Sequence, residues 1–127
     1  MCGILGIVDN KLIQSSYFTK LLKKLQHRGQ ESFGISWVYK EKLHLEKYQN
    51  MIQHNKVKSF ESNIIIGHNR YSTSGKSKNN LNFNTNISNS KENNEQSKKE
   101  TQPFYGNSSC GEFVLVHNGN VPNYKNL

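Results

Sequence analysis

The feature that most constrains this chain is its first eight residues, Met1-Cys2-Gly3-Ile4-Leu5-Gly6-Ile7-Val8. Apolar residues interrupted only by glycine predict a buried strand, with Cys2 at its tip. Removal of Met1, which a small second side chain permits, would put a thiol and a free α-amine on one residue. The amine titrates at roughly 7.7 to 8.0 and a thiol at about 8.5, so one residue could supply both base and nucleophile. The same position also suits an ordinary buried thiol, because free cysteine is among the most buried residue types. Position alone leaves both readings open.

The 127 residues fit one domain with a core and are too few for two of ordinary size. A hydrophobic content of 33% and a mean hydropathy of −0.81 are low for a globular domain, so some segment must dilute the core. That segment is 76–100, where Asn, Ser, Lys and Glu dominate and Leu81, Phe83 and Ile87 are the apolar relief. It cannot bury enough surface to offset its ordering entropy, so a disordered surface insertion is expected. The net charge of +8 raises the question of nucleic acid, yet the lysines are scattered or lie in this tract, and Arg occurs only at Arg28 and Arg70. Scattered lysine describes a solvated surface, and no nucleic-acid partner is expected. Two cysteines make no disulfide framework, and no apolar run approaches the ~18 residues of a membrane span. A cytoplasmic protein without a membrane or leader segment is expected.

Along the chain, Asp9-Asn10 predicts a turn after the first strand. Phe18, Leu21, Leu22 and Leu25 then share one face of a helix running from Ser15 or Ser16 to about Gln26, with the serines as N-caps. Residues 33–39 alternate as a strand, with Phe33, Ile35, Trp37 and Tyr39 on one face, and Lys40-Glu41-Lys42 turns it into a half-exposed partner through Leu43, Leu45 and Lys47. Residues 51–60 are ambiguous, with a short helix as one reading. Ile64-Ile65-Ile66 predicts a buried strand, and Phe113-Val114-Leu115-Val116 another.

Three polar loops follow these elements. Asn118-Gly119 offers a side-chain amide and an unhindered backbone N–H, the parts of an oxyanion hole, or alternatively a tight hairpin turn. Arg70 ends the isoleucine strand in a lysine-rich chain, which suits either a fork-shaped carboxylate binder or a structural ion pair. His27-Arg28-Gly29-Gln30 either organises a loop beside Cys2 or merely ends the helix. Cys2, His68, Cys110 and His117 lack metal-site spacing, so no metal is expected.

Taken in order, Cys2-Gly3-Ile4, Leu25-Gln26-His27-Arg28-Gly29-Gln30-Glu31-Ser32, Gly67-His68-Asn69-Arg70-Tyr71-Ser72-Thr73, Gln102-Pro103-Phe104 and His117-Asn118-Gly119-Asn120 resemble the class II glutamine amidotransferases. The resemblance covers everything except the 76–100 tract and is closest to the glutaminase domains of the amidophosphoribosyltransferase branch. The loops of glucosamine-6-phosphate synthase usually carry Tyr-Arg-Gly-Tyr and Arg-Trp-Ala-Thr instead. It implies an α+β fold, the four-layer N-terminal-nucleophile α-β-β-α sandwich, present here only in its N-terminal part. It also implies that Cys2 is the nucleophile and that Asn118 and Gly119 form the oxyanion hole. Arg70 would hold the glutamine α-carboxylate, Tyr71 and Thr73 would line the pocket, and Arg28 would support the loop beside Cys2.

The implied reaction hydrolyses glutamine through a γ-glutamyl thioester and passes ammonia to phosphoribosyl pyrophosphate in the first committed step of purine synthesis. The alternatives are an inactive glutamine-binding fragment or the glutaminase of another class II member. In the family, Mg2+ belongs to the transferase domain and some members carry an iron–sulfur cluster; neither is expected in this segment, and the full-length protein would be a homo-oligomer. The chain stops at Leu127, before the acidic residue that binds the glutamine α-amine and before the transferase domain, so a fragment is expected. Asn69 departs from the Val or Thr usual in relatives.

Overall fold

In the computed structural model, residues 1–71 and 100–119 are described. Among these residues, six strands, β1 (Gly3–Gln14), β2 (Ser32–Tyr39), β3 (Lys42–Gln49), β4 (Glu61–Arg70), β5 (Phe104–Ser108) and β6 (Gly111–Leu115), accompany the helix α1 (Ser15–Lys24). Two short 3-10 turns lie at Gln26–Arg28 and His54–Lys56. The strands form a four-stranded antiparallel sheet in the order β1-β4-β2-β3 and a separate β5-β6 pair. A mostly antiparallel sheet with a helix packed on one face makes this an α+β architecture.

The helix packs through Phe18 and Leu22, both fully buried, into a core completed by Phe33, Ile35, Trp37, Ile52 and Ile65. Gly67 makes this close approach possible: a Cβ there would come within 2.8 Å of the Phe18 ring. Trp37 stacks on Phe60 at 4.0 Å between ring centroids, and Phe33 stacks on Tyr48 at 4.6 Å. Lys23 and Lys24 close the helix, where positive charge offsets the dipole.

Several sequence expectations need correction. The first strand does not end at Asp9-Asn10; it continues to Gln14 across an irregularity between Val8 and Ile13, because pairing with β4 resumes at Ser62 and Glu61. Nor is it buried on both faces. Leu5 and Ile7 pack on the core while Ile4 and Val8 point outward, Val8 being 83% exposed. Of Ile64-Ile65-Ile66, Ile65 alone is fully buried, since alternate side chains must leave the core face.

Conversely, β2 is buried on both faces, Gly34 and Ser36 included, as far as Trp37. The N-cap position is Gln14, which makes no side-chain cap. Ser15 begins the helix, and its Oγ accepts the Phe60 N–H at 3.2 Å. The regular helix ends at Lys24, and the 3-10 turn carries the chain through Gln26. The Lys40-Glu41-Lys42 turn narrows to two residues, Lys40 and Glu41, both with positive φ, the twist that suits a tight hairpin. The ambiguous 51–60 segment holds only the 3-10 turn at His54–Lys56. The last expected strand runs from Gly111 to Leu115, and β5 was not anticipated. Apart from Glu100, the 76–100 insertion lies outside the described residues.

The two faces of the sheet should respond differently to truncation. Leu22→Ala is expected to lower the unfolding free energy by about 2–5 kcal/mol, because the cavity in the helix–sheet interface cannot collapse fully. Val8→Ala should change it by less than about 0.5 kcal/mol. Urea denaturation of both variants measures the contrast.

Candidate active site

The site is assembled by strand register. Gly3 of β1 lies opposite Asn69 of β4, and Ser32 of β2 lies opposite Arg70. Antiparallel pairing on both edges therefore brings the start of β1 to the end of β4. The Cys2 thiol reaches the Tyr71 carbonyl at 3.7 Å. The Cys2 N–H donates to Asn118 Oδ1 at 3.2 Å, joining residues 116 positions apart. Arg28 Nε donates to the Cys2 carbonyl at 3.3 Å, and its guanidinium approaches the Met1 sulfur at 3.7 Å. Beside these groups opens a cleft of about 380 Å³ lined by Met1, His27, Arg28 and Tyr71.

With Oδ1 of Asn118 engaged by the Cys2 nitrogen, the remaining Nδ2 group is the amide's donor. Gly119 follows without a side chain. The contact between Asn118 and the Cys2 nitrogen thus brings the end of β6 to the start of β1.

Arg70 sits with its side chain only 15% exposed, donating through one nitrogen to Glu31 at 2.8 Å and through the other to Glu100. Both glutamates are much more exposed, at 43% and 48%. Two residues behind the site are fully buried. Asn69 donates from Nδ2 to the Leu22 carbonyl at 2.9 Å, tying β4 to the last turn of α1. Neither ring nitrogen of His68 has a hydrogen-bond partner among the described residues. Burial pushes the His68 pKa down from 6.5 to about 4; electrostatic interaction with His117 and Arg70 adds to this, and the His117 backbone opposes it without completing a hydrogen bond.

Of the residues singled out from sequence, Cys2, Arg28, Tyr71 and Asn118 are in mutual contact or share the cleft. Arg70 lies next along the strand, and Thr73 lies outside the described residues. The contacts of Glu31, Glu100, His68 and Gln102 were not foreseen. Glu31, His68 and Gln102 stand inside the motifs that carry the resemblance but had no assigned role there, while Glu100 is the last residue of the expected insertion.

Comparison with known proteins places these residues in context. The chain is 34% identical to the amidophosphoribosyltransferase of Pseudomonas aeruginosa and 36% identical to that of Pasteurella multocida, in each case over 100% of this chain and 22% of the relative. It is 33% identical to the chloroplastic amidophosphoribosyltransferase 3 of Arabidopsis thaliana, over 99% of this chain and 21% of that protein. Along its whole length the chain is thus similar to amidophosphoribosyltransferases, a branch of the class II glutamine amidotransferases. It spans about a fifth of the length of these relatives. No family model and no solved structure matches it.

Among the described residues, no three of His, Cys, Asp and Glu gather as a metal site. No helix among them is long and apolar enough to cross a membrane.

The buried His68 generates a pH prediction. Between pH 6.5 and about 4 the unfolded chain binds a proton that the folded state refuses, so stability must fall as pH drops through this window. Above it both states are neutral at this residue and nothing is lost. The full drop from this group is about 3 kcal/mol. Urea unfolding at pH 7 and pH 4.5 should show a shallower pH dependence in His68→Gln than in the parent protein.

Proposed function

We propose that this chain is the N-terminal part of a glutaminase domain with the N-terminal-nucleophile sandwich architecture, and that it splits the side-chain amide of glutamine at Cys2. Residues 76–100 would form an insertion in that domain. The observation that carries the reading is the hydrogen bond between the Cys2 nitrogen and Asn118 Oδ1. It holds the group that becomes the α-amine, once Met1 is removed, beside the thiol it must deprotonate.

In the proposed reaction the amine takes the thiol proton, and the thiolate adds to the amide carbon of glutamine. The negative charge that develops on the amide oxygen is met by Asn118 Nδ2–H and the Gly119 N–H. Collapse expels ammonia, which takes its third proton from the Cys2 ammonium, and leaves a γ-glutamyl thioester. The amine then withdraws a proton from water, hydroxide adds to the thioester, and the thiol leaves with that proton as glutamate is released. Arg28 fixes the Cys2 carbonyl while this happens.

Arg70 would bind the α-carboxylate of glutamine, exchanging one of its exposed glutamate partners for the substrate. Tyr71 and Thr73 would complete that pocket. By analogy with the named relatives, the ammonia would be delivered to phosphoribosyl pyrophosphate in a larger, homo-oligomeric protein, at the entry to purine synthesis.

The reading is tested on the full-length protein with glutamine as sole substrate. Glutamate release is expected, with at least a 100-fold loss in Cys2→Ser, whose hydroxyl is far less readily ionised by an amine. Intact mass should show Met1 absent in the active protein. Glutamate release unaffected by Cys2→Ser would overturn the mechanism.

A further inference from the structure

We propose that Gln102 is a positioning residue for the oxyanion loop, its side-chain oxygen holding the His117 backbone so that Asn118 reaches Cys2. The proposal rests on the glutaminase reading above and assigns a role to a residue that this reading leaves without one.

The argument begins with where residue 102 is anchored. Thr101 and Ser32 share a hydrogen bond of 2.8 Å between fully buried hydroxyls, fixing the segment to the start of β2. Two residues along β2, Gly34 faces the Gln102 carbonyl so closely that any Cβ would collide with it. The backbone of Gln102 is therefore seated on the sheet on which the site is built, and Pro103 beside it is buried.

From that seat the side chain reaches across to the other loop. Gln102 is 6% exposed, and its Oε1 accepts the His117 N–H at 2.6 Å. Two residues on, Phe104 lays its ring 6.2 Å from the His117 ring at 30° between planes. The β5–β6 ladder closes with Phe104 opposite Leu115, so the chain leaves strand pairing just before the site. Gln102 takes over where the ladder stops, one residue ahead of Asn118.

A side-chain oxygen suits this place, because it meets a backbone donor that burial would otherwise leave unpaired. Once His117 is pinned, Asn118 has little freedom other than to meet the Cys2 nitrogen at 3.2 Å. Catalysis by such a loop depends on geometry, and displacement of about 1 Å can cost about 100-fold in rate. The loop acts on the developing oxyanion rather than on bound glutamine, so loss of the tether should appear in kcat and spare KM.

The test uses the full-length protein with glutamine and compares three variants. Gln102→Met is nearly isosteric but has no oxygen acceptor, Gln102→Glu keeps the acceptor, and Gln102→Asn falls one methylene short. In Gln102→Met, kcat for glutamate release is expected to fall about 10- to 100-fold with KM for glutamine within about threefold of the parent. Gln102→Glu should recover most of the loss, and Gln102→Asn should not. Hydrogen–deuterium exchange at the His117 amide should accelerate about 10-fold or more in the Met and Asn variants and return toward the parent rate in Glu. Should Gln102→Met fail to fold by circular dichroism, Gln102→Asn carries the same comparison. An unchanged kcat with an unchanged His117 exchange rate in a folded variant overturns the proposal, as does a loss that Glu does not rescue. If the parent protein releases no glutamate, the glutaminase reading fails, and the exchange rates alone decide whether the tether exists.

Discussion

Everything at the site depends on the register of β4. This strand is paired on both edges, with β1 and with β2, and both pairings are antiparallel. Its last residues are thereby held against the first residue of β1 on one side and the start of β2 on the other. A slip of one residue would exchange its two faces, exposing Ile65 and turning Ile64 inward. It would also carry the Tyr71 carbonyl away from the Cys2 thiol. The burial of Phe18 and Leu22 over Gly67 opposes such a slip, because only a residue without a side chain fits under the helix there. Core packing and site geometry are thus the same constraint seen from two ends of one strand.

The polar residues behind the site show how that strand is held lengthwise. Asn69 turns a position flanking the site into a bond to the end of α1. His68, next to it, is kept uncharged by its surroundings and contributes volume rather than charge. The strand end can therefore present Arg70 with its guanidinium as the only charge on three successive residues, against a backbone fixed from the helix side.

The loops carrying chemistry were legible because they follow apolar runs that could only be strands, and because unusual residue types mark them. Cys2 at the chain start, one of two arginines at Arg70, and Asn118-Gly119 after an apolar run were all identifiable one by one. What joined them was a resemblance across the chain; periodicity alone could not order the sheet. Burial was harder to foresee. The isoleucines of β4 look equivalent in sequence, yet the packing of α1 on one face of the sheet covers Ile65 and leaves Ile64 exposed. The continuation of β1 past Asp9-Asn10 depends on β4 resuming its pairing, a long-range event that local turn chemistry does not contain. Ser15 illustrates the same point: its hydroxyl serves the Phe60 backbone, a partner 45 residues away, instead of capping its own helix.

Arg70 is where the two sequence readings, structural ion pair and carboxylate clamp, meet. Its pairing with Glu31 and Glu100 satisfies the first, and the distribution of exposure bears on the second. The guanidinium is the sheltered partner, and both carboxylates lie largely in solvent. Ion pairs with such exposed partners contribute about 0–1 kcal/mol each, since water restores most of what separation removes. Moving the arginine, by contrast, would disturb the strand end. On the proposed function, an incoming carboxylate would meet a fork held at the strand end, and the structural reading and the binding reading would describe the same side chain at two stages of a cycle.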